Sequence, residues 1–134
     1  MYIANTVLLS LVRSDPRSYA NTVTYYCRIR DHKLTTILVW IYGGGFSTGD
    51  KSVLNGGGPS GLIHRSNDSI IYVALNYRLG AFGWLSGPTF QQSGTANAGL
   101  HDQQFALKWV QKYIHLFGGD PGKVTVMGQS AGGT

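Results

Sequence analysis
The chain has 134 residues, the length of one ordinary domain, and its 43% apolar share is enough for a buried core, so overall disorder is excluded. It carries a formal charge of +5, with eleven Lys and Arg against six Asp and no Glu. Five of those bases and two acids fall in residues 1–33, which therefore hold +3, and no basic run interleaved with aromatics follows, so nucleic-acid binding is not indicated.

Residues 1–33 show no sustained period and read as a poorly defined N-terminal segment, set apart from a domain over 34–134. "VLLSLV", Val7 to Val12, is short and lacks a basic flank, a poor signal peptide and far too short to span a bilayer. The stretch "YANTVTYY" alternates weakly, as a strand would. Cys27 is the only cysteine, so neither an intrachain disulfide nor a thiolate cluster can form. No metal-ligand spacing is present. The sequon Asn67-Asp68-Ser69 would matter only in a secreted chain.

The first clear element is the apolar run Ile37–Tyr42, rich in β-branched and aromatic residues and bounded by glycines. It predicts a buried strand of a parallel sheet. Asn55–Gly61 reads as a loop. Ser69–Tyr77 predicts a second buried strand, followed by glycine-punctuated loop through "RLGAFGWLSGP" and "TFQQSGTAN". From Ala98 to Phe117 the apolar positions Phe105, Ala106, Trp109, Val110, Tyr113, Ile114 and Phe117 recur at three- and four-residue steps, which predicts a helix. Gly118, Gly119 and Pro121 stop it. Lys123–Gly128 predicts a third strand. Strand, strand, helix, strand is the grammar of a parallel α/β sheet.

Two of these strands end in glycine loops. "GQSAGG", Gly128 to Gly133, has the G-x-S-x-G pattern of a nucleophile elbow. In so tight a turn, side chains two places before and after Ser130 would collide, hence Gly128 and Gly132. The Ala131 amide, one residue on, can donate to an oxyanion. The bland alternative is a turn serine, and the pattern alone is weak in a chain with nineteen glycines. The loop after the first strand, "YGGGFSTGDKS", could cradle a phosphate or an oxyanion. Gly44 to Gly49 has G-x-x-x-x-G spacing, but Asp50 stands where a phosphate loop needs lysine, and no helix start follows. Two glycine loops at strand ends, one with a serine, favour acyl transfer.

The blocks "VWIYGGGFSTG", "NYRLGAFGWL" and "NAGLHDQQFALKWVQKYIHLFGGDPGKVTVMGQSAGG" stand in one order, and the chain from about Thr36 to Thr134 resembles the type-B carboxylesterase and lipase family, which includes the cholinesterases. The resemblance covers about three quarters of the chain. It implies a partial α/β-hydrolase fold, a mainly parallel sheet with flanking helices that stops after the nucleophile strand. It implies hydrolysis of a small carboxylic ester through a serine acyl-enzyme, with no cofactor. Ser130 would be the nucleophile, and the amides of Gly44, Gly45 and Ala131 the oxyanion hole. Phe117–Pro121 would be the turn feeding the nucleophile strand.

The chain departs from the family in several places. Gln129 stands where Glu is frequent. Cys27 lacks the acidic motif that accompanies the family's upstream cysteine. The triad order is Ser, acid, His, yet His32, His64, His101 and His115 all precede Ser130. His101 beside Asp102 is a tempting dyad, but adjacent helical residues project apart, so both read as structural. The expectation is a chain with little turnover of its own. A non-catalytic adhesion module on the same scaffold and a truncated gene product without function are the alternatives. Trp40, Trp84 and Trp109 read first as core aromatics, with Phe46 and Trp84 also candidates for lining a substrate. Arg78 and Asp102 are expected to pair. The ester, the localisation (family members are often secreted) and the oligomeric state are left open by the sequence.

Overall fold
The computed structural model of the chain describes residues 10–12, 22–26, 35–52 and 59–134. Cys27, His32 and Asn55–Gly58 lie outside the described residues. Five strands, β1 (Ser10–Val12), β2 (Thr22–Tyr26), β3 (Thr35–Ile41), β4 (Ile70–Leu75) and β5 (Gly119–Gly128), form one sheet in the order β1-β2-β4-β3-β5. β3 runs parallel to both β4 and β5, and these are the three strands expected from the sequence. β2 adds antiparallel to β4, and β1 antiparallel to β2. Five residues of "YANTVTYY", Thr22–Tyr26, are thus β2, and three residues of "VLLSLV" are β1.

The core follows from two periods meeting. Ile37, Val39 and Ile41 on β3 and Ile71, Val73 and Leu75 on β4 point to one face of the sheet. Against them lies α4 (Ala98–Tyr113), whose buried residues include Ala98, Asp102, Ala106 and Val110, one step of four apart, with Ile114 continuing the row. Each fully buried aliphatic side chain there stabilises the fold by about 1.5–3 kcal/mol. β4 is buried on both faces, as a continuous apolar run should be, whereas β3 is half-buried on its second face.

The predicted helix ends as expected, with one refinement. α4 tightens into a 3₁₀ turn over Ile114–Phe117, then Gly118 adopts φ +78° and donates its N–H to the His115 carbonyl at 3.2 Å. Gly119 packs so closely on Ile114 that a Cβ would lie 2.7 Å from its Cγ1. The pairing of β5 with β3 then skips from Gly119 to Val124. The intervening turn is fixed by the Gly122 N–H donating to Asp120 Oδ1 at 2.9 Å.

The glycine-punctuated stretch expected as loop after the second strand contains two short helices, α2 (Gly80–Trp84) and α3 (Pro88–Gln91), and another, α1 (Ser60–Arg65), starts at the end of the expected loop Asn55–Gly61. α2 is held by packing that its own sequence does not advertise. A Cβ on Gly83 would sit 1.9 Å from the Arg78 carbonyl oxygen, and one on Gly99 of α4 2.7 Å from the same atom. Two helices therefore rest directly on the backbone of Arg78. Its side chain completes the junction. Asp102, 4% exposed, accepts from the Arg78 backbone N at 3.0 Å, Nε at 2.8 Å and Nη2 at 2.8 Å. The expected Arg78–Asp102 pair is thus a bidentate one with a third, main-chain bond. The hydrogen bonds to Asp102 and the attraction of its charge raise the Arg78 pKa above its ordinary value, against an opposing effect of burial.

Asp102→Ala should remove all three bonds and leave the Arg78 amide unpaired beneath two helices. A loss of about 2–4 kcal/mol is expected, checked by urea unfolding of the purified chain.

Candidate active site
β4 and β5 flank β3 on opposite sides, so strand order departs from chain order at β3. In open parallel sheets, ligands bind beyond the carboxyl ends of strands at such a point. The two glycine loops sit there, one after β3 and one after β5.

The turn after β5 is strained. Gln129 is extended, and Ser130 then adopts φ +53°, the left-handed region that costs a non-glycine residue about 1–2 kcal/mol. The Gly132 N–H donates to the Gln129 carbonyl at 2.9 Å and the Gly133 N–H to the Ser130 carbonyl at 2.8 Å. The Ala131 amide takes part in neither bond. Ser130 is exposed, while Ala131 is buried. The flanking glycines sit where any side chain would collide. A Cβ on Gly128 would lie 1.9 Å from the Gly132 carbonyl oxygen, and one on Gly132 would lie 2.3 Å and 2.5 Å from the Ile41 and Tyr42 carbonyl oxygens.

The loop after β3 comes up beside it. A Cβ on Gly43 would lie 2.8 Å from Ser130 Cβ and 2.5 Å from the Gln129 carbonyl oxygen. Gly43 therefore sets the approach of the two loops, a role the sequence reading missed. Its only signal was a third glycine in the row. Gly44 and Gly45 follow at φ +126° and +59°, then Phe46 at +63°. The Gly44 carbonyl turns into the loop, where it accepts from Ser47 N at 3.2 Å, Thr48 N at 3.1 Å and Thr48 Oγ1 at 3.1 Å. A planar trans peptide then aims the Gly45 N–H the opposite way, out of the loop. Among the described residues, neither the Gly44 nor the Gly45 amide donates a hydrogen bond.

Phe46 and Trp84 meet edge to face at 4.7 Å between ring centroids. Trp84 also stands edge-on to Tyr77 at 6.3 Å, and Tyr77 stacks on Tyr42 at 4.6 Å. These four rings form a continuous wall beside the loop. Trp84 packs against the core, as a core aromatic should, while Phe46 stays partly exposed at its outer end. Tyr42 and Tyr77 also exchange hydrogen bonds: Tyr77 Oη donates to the Tyr42 carbonyl at 2.7 Å, and Tyr42 Oη to the Tyr77 carbonyl at 3.3 Å. Burial pushes the Tyr42 phenol up to about 12 and raises Tyr77 in the same direction.

The described histidines are elsewhere. His64 is on α1, His101 on α4 and His115 in the 3₁₀ turn, all exposed. Among the described residues, no imidazole or carboxylate hydrogen-bonds to Ser130. Asp102 faces Arg78, which removes the His101–Asp102 dyad from consideration.

The sequence model described as the carboxylesterase family matches residues 20–134. A carboxylesterase, patB, of Aspergillus clavatus is 56% identical over 102 residues, 72% of this chain and 18% of the relative. Cholinesterase 1 of Branchiostoma lanceolatum is 52% identical over 97 residues, 72% of this chain and 26% of the relative. The chain thus spans about a fifth of the length of the curated relatives it matches. Among solved structures, a thermophilic pNB esterase superposes with a TM-score of 0.73 at 39% identity, over 84% of this chain and 23% of the other. EstA of Aspergillus niger does so at 0.74 and 34%, over 92% and 25%.

Gly132→Ala should displace the turn from the β3 carbonyls and destabilise the fold by about 1–3 kcal/mol. Gly45→Ala meets open space and should lose only about 1 kcal/mol from its positive φ. Urea unfolding of the two variants checks the ranking. A second expectation concerns pH. An unfolded tyrosine releases its proton near its ordinary value of 10.0, and folded Tyr42 near 12. The stability that Tyr42 contributes is therefore complete below about 10 and lost as pH rises to about 12. Unfolding curves across that window should fall less steeply with pH for Tyr42→Phe than for the native chain.

Proposed function
This chain belongs to the carboxylesterase family, and from that premise we propose that it holds the nucleophile and oxyanion site of a carboxylic ester hydrolase. The observation that carries the reading is the strained, exposed Ser130 at φ +53°, flanked by glycines with no room for a side chain, beside a loop whose Gly44 and Gly45 amides donate no hydrogen bond among the described residues.

The chemistry follows from the geometry. Ser130 Oγ attacks the ester carbonyl carbon, and the carbonyl oxygen becomes an oxyanion. The amides of Gly44, Gly45 and Ala131 receive it. Such donors act because they are fixed before charge develops and need no rearrangement when it does. The alcohol then departs with a proton, leaving an acyl group on Ser130 that water releases as the acid. Phe46 and Trp84 are the substrate-lining residues, and the substrate is a small-molecule ester. Residues 34–134 form part of the hydrolase domain on this reading.

Activating Ser130 needs a general base, and in this fold the acid and the histidine follow the serine in chain order. With no imidazole at Ser130 among the described residues, the chain alone should be a slow catalyst. Oxyanion stabilisation without a triad leaves about 10³–10⁴-fold over water at best.

The purified chain should hydrolyse a p-nitrophenyl ester only weakly and take up a fluorophosphonate slowly, with the adduct on Ser130 by mass spectrometry. Ser130→Ala should abolish both. Labelling that survives Ser130→Ala would overturn the nucleophile assignment, and fast turnover lost in that variant would show that a base reaches Ser130 after all.

A further inference from the structure
The loop from Gly43 to Lys51 has little to hold it in place by itself. Gly44, Gly45, Phe46 and Gly49 all have positive φ, and the hydrogen bonds within Gly43–Gly49 converge on one atom, the Gly44 carbonyl oxygen. Yet its position decides where the Gly44 and Gly45 amides point. One short segment, Asn76 to Gly80, which follows β4, anchors it by hydrogen bonds at its entrance, tip and exit.

Three hydrogen bonds link this segment to the main chain of Tyr42–Lys51. At the loop's entrance, Tyr77 Oη donates to the Tyr42 carbonyl at 2.7 Å. At its tip, the Gly80 N–H donates to the Phe46 carbonyl at 2.8 Å. At its exit, the Lys51 N–H donates to Asn76 Oδ1 at 2.8 Å. The segment that makes them is itself immobilised through Arg78, which Asp102 holds by three bonds and on whose carbonyl α2 and α4 both rest. We propose that Asn76–Gly80 is a clamp that sets the oxyanion loop, with the Tyr77 hydroxyl as its principal positioning group. The inference rests on the reading of that loop as the oxyanion site.

Tyr77 is singled out by its acceptor. Tyr42 is buried, and its carbonyl oxygen is one of the two, with that of Ile41, against which Gly132 packs, so one oxygen is shared by the clamp, the loop entrance and the nucleophile turn. Displacing it moves both halves of the site together. The converse bond, Tyr42 Oη to the Tyr77 carbonyl, is longer and ends on the clamp side, so it holds the ring pair without holding the loop.

That asymmetry gives the test. Tyr77→Phe keeps the stacked ring and removes only the bond to the loop, and Tyr42→Phe removes only the converse bond. Hydrogen exchange of the Ser47, Thr48 and Lys51 amides, followed by NMR in the full chain, should quicken about tenfold in Tyr77→Phe. The amides of β3 and β4 should keep their rates, and Tyr42→Phe should leave the loop as it is. Fluorophosphonate labelling of Ser130 should slow about tenfold in Tyr77→Phe alone. Asn76→Ala is a second variant, expected to quicken Lys51 first. Unchanged loop exchange in both Tyr77→Phe and Asn76→Ala would overturn the clamp, as would equal quickening in Tyr42→Phe or a rise spread evenly over the sheet. If the native chain takes no label at Ser130, the functional reading fails while the exchange rates still decide the clamp.

Discussion

The site depends on backbone meeting backbone at the carboxyl ends of β3 and β5. Gly43, Gly128 and Gly132 approach carbonyl groups or Ser130 so closely that a single methyl group on any of them would lie within 3 Å of those atoms. Close approach of this kind brings main-chain polar groups of two loops to one place without intervening side chains. It also explains why strain at Ser130 persists. The turn is over-determined by β3 on one side and by its own two hydrogen bonds on the other, so the serine has no relaxed alternative nearby.

Such an arrangement needs a stiff frame, and the frame is built by layers. The sheet fixes the ends of β3 and β5 through their register, with Ile41 opposite Gly128. α4 covers one face through its four-residue row and at its first turns presents Gly99 and Asp102 to Arg78. Arg78 lies in the segment that reaches the glycine loop. A chain of contacts therefore runs from a core helix to the loop through one buried carboxylate. The Arg78 side chain is 39% exposed, so much of what holds this junction is the main-chain bond and the packing on its carbonyl, with the charge pair moderated by water.

What was legible in the sequence was local or periodic. The helix from Ala98 to Phe117, read from its apolar positions at three- and four-residue steps, the glycine stop at Gly118 and the parallel strands follow from local pattern alone. The need for glycine at 128 and 132 follows from how tight the turn is. The Arg78–Asp102 pair was legible because both residues stand in recognisable blocks. α2 and α3 were not, because a five-residue and a four-residue helix carry too few positions for a period, and α2 exists by resting on Arg78. The Tyr42–Tyr77 exchange was hidden as well. The two are 35 residues apart, each ends an apolar run where a tyrosine reads as core, and only strand order makes them neighbours. Gly43 looked like a spare member of a glycine run until β5 was placed beside it.

The same strand order bears on how the proposed chemistry would be supported. The candidate donors at Gly44, Gly45 and Ala131 are amides whose directions are set by planar peptide geometry and by hydrogen bonds to neighbouring carbonyls, not by ionisable partners. Lys51, the nearest cation in the loop's sequence, is held by its main-chain N–H to Asn76, and burial lowers the pKa of its ammonium group. An oxyanion site of this construction keeps its donors at every pH at which the sheet stays folded. The pH dependence of a reaction at Ser130 would then report on the base that activates the serine, and the upper limit of the site itself would lie where the buried tyrosines ionise, above pH 10.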